Sequence, residues 1–169
     1  MARAPQAAAA SRGVAPERLP RLACRVVRDA DERATHAAIR ASVFVTEQRI
    51  FAGSDADAHD EDPATLHVLG FVDDQPAGAV RLYPLDGPSD GEGLWKGDRL
   101  AVLPPWRSSG LGAPLVRFAV AEAGARGGTQ MIAMVQVPNV RFFVRLGWTP
   151  VGEPQVYVGL PHQQMTISL

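Results

Sequence analysis

Cysteine is nearly absent: Cys24 is the one thiol in 169 residues. That excludes a disulfide within the chain and a cysteine-rich zinc site. Aromatic residues are sparse, at 7%. No apolar run approaches the ~18 residues of a membrane-crossing helix, so no spanning segment is expected. The first residues include Arg3 and several alanines but no apolar stretch of the secretory kind, and no such leader is expected. A charge excess of either sign is also missing. Seventeen basic residues nearly cancel 18 acidic ones, leaving −1. Nucleic-acid binders that act through bulk charge are strongly basic, so that class is set aside. The length suits one domain able to bury a core without staples. A reduced, cytoplasmic domain is the expectation.

The near-zero total hides a pattern. Residues 1–40 hold eight Arg and four acids, residues 53–98 hold eleven acids against Arg81 and Lys96, and residues 99–169 hold six Arg and two acids. An acidic middle beside a basic C-terminal part implies one surface that attracts cations and one that attracts anions. The plainer alternative is a set of solvated acidic loops.

Residues 1–20 are rich in Ala, Pro and Arg and read as a disordered tail, leaving 21–169 as the domain. Leu22 to Val27 reads as a strand. From Asp31, Ala34, Ala37, Ala38, Ala41 and Phe44 recur at helical steps, with Asp29 or Asp31 as the cap. Gly53 to Pro63 is a polar loop. Leu66–Val72 and Ala77–Leu85 flank Asp73-Asp74-Gln75-Pro76 as a hairpin. Asp86 to Gly93 is a loop, and Leu94 to Leu103 a strand stopped by Pro104-Pro105. Gly110 to Arg126 is helical and ends at Gly127-Gly128. Met131 to Val137 is an unbroken apolar run, as in a strand buried on both faces. Pro138 to Leu146 is a short helix, and Trp148–Val151 and Met165–Leu169 are closing strands. The order predicts a mixed α/β sheet with a strand–helix–strand unit in its second half.

One segment carries chemistry. From Arg99 to Ala113 a strand feeds a glycine-containing turn that opens a helix. Helix N-termini offer unpaired N–H groups and a positive dipole end, which suits phosphate. Gly110 and Gly112 allow close backbone approach, and Arg107 adds charge. No Gly-Lys-Ser/Thr follows, so it is not a P-loop, and the GxGxxG dinucleotide fingerprint is absent. A tightly packed helix cap is the bland alternative.

The segment "RSSGLGA" resembles the Q/R-x-x-G-x-G/A acetyl-CoA motif of GNAT-type N-acetyltransferases. "NVRFFVRLGW", from Asn139 to Trp148, resembles their second signature, separated from the first by one helix and one strand as in that family. "IRASVFVTEQRIF", Asp57, Asp60 and "AGAVRLYPL" resemble two branches of the superfamily, the ElaA-like acetyltransferases and the acyl-homoserine-lactone synthases. "GLPHQQM" is similar to the ElaA-like pattern. "RLAV", "NVxFFxRL" and "PHxxM" resemble acetyltransferases of bacterial nitrilase gene clusters. The clean Gly-x-Gly turn favours the acetyltransferase side over the synthases.

The resemblance implies a single GNAT-like domain, a mixed sheet of about seven strands flanked by about four helices. It implies acyl transfer from acetyl-CoA or another acyl-CoA, as co-substrate and without a metal, to the amine of a small molecule held in the same cleft. The backbone of Leu100, Ala101 and Val102 would pair with pantetheine like an added strand, and an N–H there would meet the thioester oxyanion. Arg107, Ser108, Ser109, Gly110, Leu111, Gly112 and Ala113 would hold the diphosphate. Gln136, Asn139 and Phe143 would line the cofactor. Asp98 is the first candidate base and Glu47 the second, each with a capping or solvated role as the alternative. Arg40, Phe44, Asp57, Asp60, Arg81 and Arg99 would form the acceptor side. Phe143 stands where the family often has a Tyr that protonates the leaving thiolate. Phe cannot donate, so water or another tyrosine such as Tyr157 would.

The loop from Asp55 to Asp62 fails as an EF-hand, because its sixth and twelfth positions are Asp60 and Leu66. His59, His67 and His162 lack metal spacing. Met131 and Met134 read as core. Partners are expected to be a small amine alone, with no nucleic acid and no membrane, and a homodimer as the candidate assembly. The competing functions are an autoinducer-type synthase using S-adenosylmethionine and a non-catalytic acyl-CoA sensor.

Overall fold

A computed structural model describes residues 18–85 and 91–169. Most of the expected tail and part of the Asp86–Gly93 loop therefore lie outside the described residues. Seven strands form one sheet: β1 (Leu22–Val26), β2 (Leu66–Val72), β3 (Gln75–Pro84), β4 (Leu94–Val102), β5 (Gln130–Gln136), β6 (Thr149–Tyr157) and β7 (Leu160–Ser168). The spatial order is β1-β2-β3-β4-β5-β7-β6. Only the β4–β5 pair is parallel. It is joined through α2 (Gly112–Ala125), the crossover that a parallel pair requires. The predicted order of elements holds.

Alternation along the strands gives the sheet two cores. Val68, Val80, Leu82, Met131 and Ala133 meet Leu111, Leu115, Val116 and Ala119 of α2, together with Phe143 of α3 (Val140–Arg145). Leu69, Phe71, Ala79 and Ala101 face the other way, against Ile39 of α1 (Ala30–Arg40) and Val43 and Phe44. Two glycines set how closely α2 sits. A Cβ on Gly70 would come within 3.0 Å of Leu115, and one on Gly78 within 2.8 Å.

Asp29 is the cap of α1; its carboxylate accepts from the Glu32 N–H at 2.9 Å. The helix then widens instead of ending. Ala41–Glu47 is a π-helical turn that buries both Val43 and Phe44. The β2–β3 turn is only Asp73-Asp74, both at positive φ, so β3 begins at Gln75 and not at Ala77. The closing strands also run further than expected, meeting at a Val158-Gly159 turn with both residues at positive φ. β6 contains Pro150 and Pro154. It tolerates them because it is the exposed edge of the sheet, where a missing N–H breaks no inner ladder.

Candidate active site

The central feature is a parting of strands. β4 pairs with β3 along most of its length but with β5 only from Leu94↔Gln130 to Lys96↔Ile132. Beyond Lys96 the two parallel strands diverge, and among the described residues the β5-facing backbone of residues 97–102 has no strand partner. A bulge accompanies the parting. Arg81 opposes Asp98 and Ala79 opposes Ala101, so β4 spends one more residue than β3 over this stretch. Arg99 absorbs the difference at φ +52, a conformation that costs a non-glycine residue energy and concentrates at functional sites. The wedge is a cleft. Its walls include Gly97, Asp98, Arg99 and Leu100 of β4 and Met134 and Gln136 of β5. Val116, Phe143 and Trp148 close one side, and Phe44, Phe51, Tyr157 and His162 stand on the other.

At the C-terminal end of β4 a 3-10 turn, Pro104–Ser109, leads into α2. Gly110 has φ +83, which an L side chain adopts only with strain. The N-cap position of α2, Leu111, supplies no side-chain hydrogen bond, so the N–H groups of Gly112 and Ala113 keep the unpaired state of a helix start. Ser109 Oγ donates to the Trp106 carbonyl at 2.6 Å and accepts from the Leu111 N–H at 3.3 Å, which shapes the turn. Arg107 does not point freely outward. It donates to both oxygens of Glu47 at 2.7 and 2.6 Å and to the Val102 carbonyl at 3.1 Å. Arg107 also holds the Glu47 carboxyl below its ordinary range.

On the α1 side three arginines converge. Arg81 is wholly buried and donates to both oxygens of Asp98 at 2.8 and 2.7 Å, to Asp57 at 2.6 and 2.9 Å, and to Asp60 at 2.8 Å. Arg40 bonds Asp55 at 2.7 Å and Asp60 at 3.1 Å. Arg99 reaches Asp57 at 3.1 Å and the Asp55 carbonyl at 3.0 Å, with its guanidinium over the Phe51 ring. Burial opposes the charge on Asp60, yet the hydrogen bond from Arg40 wins and its pKa falls well below the carboxylate range. Four acids of the acidic middle, Asp55, Asp57, Asp60 and Asp98, are therefore spent on these arginines. Asp55 belongs to this network although the sequence reading gave it no role.

Of the two base candidates, Asp98 lines the cleft with both oxygens engaged by Arg81, whereas Glu47 is clamped to Arg107. Gln136 crosses the cleft to donate to Gln48 Oε1 at 3.0 Å, and Asn139 and Phe44 line it. Phe143 packs edge-on against Trp148. Among the cleft residues missed at the sequence level are Lys96, Tyr157 as a wall, and His162. Lys96 had a signal, since it is the only lysine in the chain. His162 lay in the "GLPHQQM" stretch, but its place in the cleft depends on β7 pairing with β5.

Sequence comparison decides the lineage. The sequence model of the acetyltransferase (GNAT) family matches residues 26–148. The chain belongs to the GNAT family. It is a GNAT-family N-acetyltransferase in fold and class. The N-acetyltransferase YjcF of Bacillus subtilis, itself uncharacterized, is 30% identical over 129 residues, spanning 75% of this chain and 86% of YjcF. Escherichia coli ElaA superposes with a TM-score of 0.73 at 21% identity, covering 87% of this chain and 98% of ElaA. The acyl-homoserine-lactone synthase BjaI, solved with SAM and isopentyl-CoA, gives 0.67 at 21% identity, covering 82% of this chain and 76% of BjaI. Both branches that the sequence resembles thus share its GNAT fold.

Proposed function

We propose that this protein transfers an acyl group from acetyl-CoA, or another acyl-CoA, to the amine of a small molecule by direct attack in a ternary complex. The observation that carries this reading is the wedge between β4 and β5 beside the open start of α2. An extended pantetheine arm suits the unpaired edge at Leu100, Ala101 and Val102, as an added strand does. The N–H groups of Gly112 and Ala113, with Ser108, Ser109, Gly110 and Leu111 shaping the turn, suit a diphosphate. Arg107 joins them once Glu47 releases it. Gln136, Asn139 and Phe143 line the arm. Solved relatives of this fold carry CoA compounds, among them BjaI and an aminoglycoside 6'-N-acetyltransferase.

In the transfer, the amine nitrogen bonds to the thioester carbonyl carbon, the C–S bond breaks, and an amide and a thiol result. A backbone N–H of β4 offsets charge on the carbonyl oxygen. The amine must first lose a proton, and Asp98 is the carboxylate placed to receive it, directly or through water. Tyr157, in the cleft wall, or water returns a proton to the thiolate. The Arg40–Arg81–Arg99 cluster, with Asp57 and Asp60, fixes the acceptor wall, and Phe44 completes it. Co-substrates held in one cleft gain rate from proximity alone.

The test is calorimetry with acetyl-CoA followed by thiol release against a panel of amines. Binding plus amine-dependent release supports the reading. Release with S-adenosylmethionine alone would move the protein to the synthase branch, and tight binding with no release would make it a sensor.

A further inference from the structure

The cleft contains a cation that no carboxylate among the described residues neutralises. Lys96 sits on β4 at the last pairing before the strands part, opposite Tyr83 and Ile132. It is the only lysine in the sequence and is half-buried. Its ammonium lies 5.5 Å from the centroid of the Tyr157 ring, and among the described residues no carboxylate pairs with it. The nearby guanidiniums differ. Arg40, Arg81 and Arg99 have all found carboxylates. Asp98, the carboxylate of the cleft wall, already accepts two bonds from Arg81.

Lys96 and Asp98 are two apart on one strand, so their side chains share a face, with roughly 7 Å between their backbones. A positive and a negative group at that spacing complement a molecule bearing an anion and an ammonium on neighbouring atoms. Around them the walls are apolar and aromatic: Phe44, Ile50, Phe51 and Tyr157. A phosphate dianion seeks several converging donors, whereas a carboxylate suits a lone ammonium.

We infer that the acceptor is an α-amino acid with an apolar or aromatic side chain, held by its carboxylate on Lys96 so that its amine faces Asp98. This rests on the acyl-transfer reading above. It assigns that reaction's acceptor class and makes Lys96 its specificity-determining residue.

The experiment compares matched amines in acetyl-CoA-dependent thiol release: L-phenylalanine with 2-phenylethylamine, and L-leucine with isopentylamine. The carboxylate-bearing member of each pair is expected to be favoured about tenfold or more in kcat/KM, the scale of one charge-assisted contact. Lys96→Met should abolish that preference by raising KM for the amino acid, and Lys96→Arg should restore part of it. Calorimetric affinity for acetyl-CoA should be the same in all three proteins. Equal or better turnover of the decarboxylated amines, or an unchanged KM in Lys96→Met, overturns the assignment and leaves acyl transfer intact. Turnover of no carboxylate-bearing amine across the twenty amino acids overturns it as well. Loss of acetyl-CoA binding in the unaltered protein would instead overturn the acyl-transfer reading.

Discussion

Gly110 and Gly112 sit two residues apart in one motif but do different work. Gly110 holds a φ that a side chain resists, although space around it is open. Gly112 has ordinary geometry, and a Cβ there would meet Phe142 at 3.4 Å, a tolerable contact. Gly112→Val should therefore keep the fold and block the approach of a diphosphate. Acetyl-CoA affinity is expected to fall at least about tenfold, with a thermal midpoint close to the parent's. Gly110→Val should lower the midpoint as well, because strain of about 1–3 kcal/mol enters the folded state. Calorimetry and thermal melts separate the two, and unchanged affinity in a folded Gly112→Val protein would remove the diphosphate assignment. A second residue-scale expectation concerns Arg81. Removing it strips Asp98 of both its hydrogen bonds from that guanidinium and leaves Asp57 to Arg99 and Asp60 to Arg40, and breaking a buried pair of this kind costs about 3–5 kcal/mol. Arg81→Met should lose that stability, and Arg81→Met with Asp98→Leu should regain a substantial part. Asp60→Leu is the wrong rescue, because Asp60 is also a partner of Arg40. Equal loss in both proteins, read from denaturant unfolding, would mean that charge pairing is not what holds the loop.

Among the elements, legibility followed the strength of the local signal. Alternation and apolar periodicity marked β1, β2, α2 and β5 close to their true ends. They failed at Ala41–Glu47, because one wide turn shifts the apolar pattern too little to tell a π-helix from an α-helix. They failed again on β6, an exposed edge strand whose Gly and Pro residues read as loop. The glycine turn was legible because its chemistry is local. The arginine cluster was half legible: the resemblance grouped Arg40, Arg81 and Arg99 with Asp57 and Asp60, but the sequence could not say that Asp98 and Asp55 would join them. One consequence joins two elements. Glu47 ends the π-helical turn and Arg107 lies in the turn before α2, so their pairing ties the proposed acceptor wall to the proposed diphosphate site. If Arg107 serves the diphosphate, Glu47→Gln should raise acetyl-CoA affinity a few-fold, since an exposed competitor is gone. If Glu47 is instead the base, kcat falls and affinity stays. Measuring both quantities on one protein distinguishes these outcomes.

At the scale of the whole molecule, stability should depend on acid through two buried histidines beneath the cluster. His36 is fully buried and His67 nearly so, their rings edge-to-face at 4.9 Å. Burial is the main reason that His36 is pushed down to about 4 and His67 to about 3. Arg33 and Arg40 push the same way, and Asp60, 4.0 Å from His67 Nδ1, opposes them. In the unfolded chain both rings take a proton near pH 6.5. Below that value the unfolded state binds protons that the folded state refuses, so acid favours unfolding. The contribution is complete above about pH 6.5 and is lost as pH falls towards the folded values. Well below 6.5 each histidine accounts for about 1.4 kcal/mol per pH unit, which corresponds to about 3–5 °C of thermal midpoint. Asp57, Asp60 and Glu32 are shifted downward too, but their loss begins only near the ordinary carboxylate range, so the histidines act first. Among the described residues neither nitrogen of His67 has a hydrogen-bond partner. His67→Phe therefore removes a titrating group without breaking a bond, and an apolar ring in a buried site is neutral or better. Its midpoint at pH 7 should match the parent's, and its decline between pH 6.5 and 5 should be about half as steep. An unaltered slope would show that His67 does not govern the acid sensitivity of the fold.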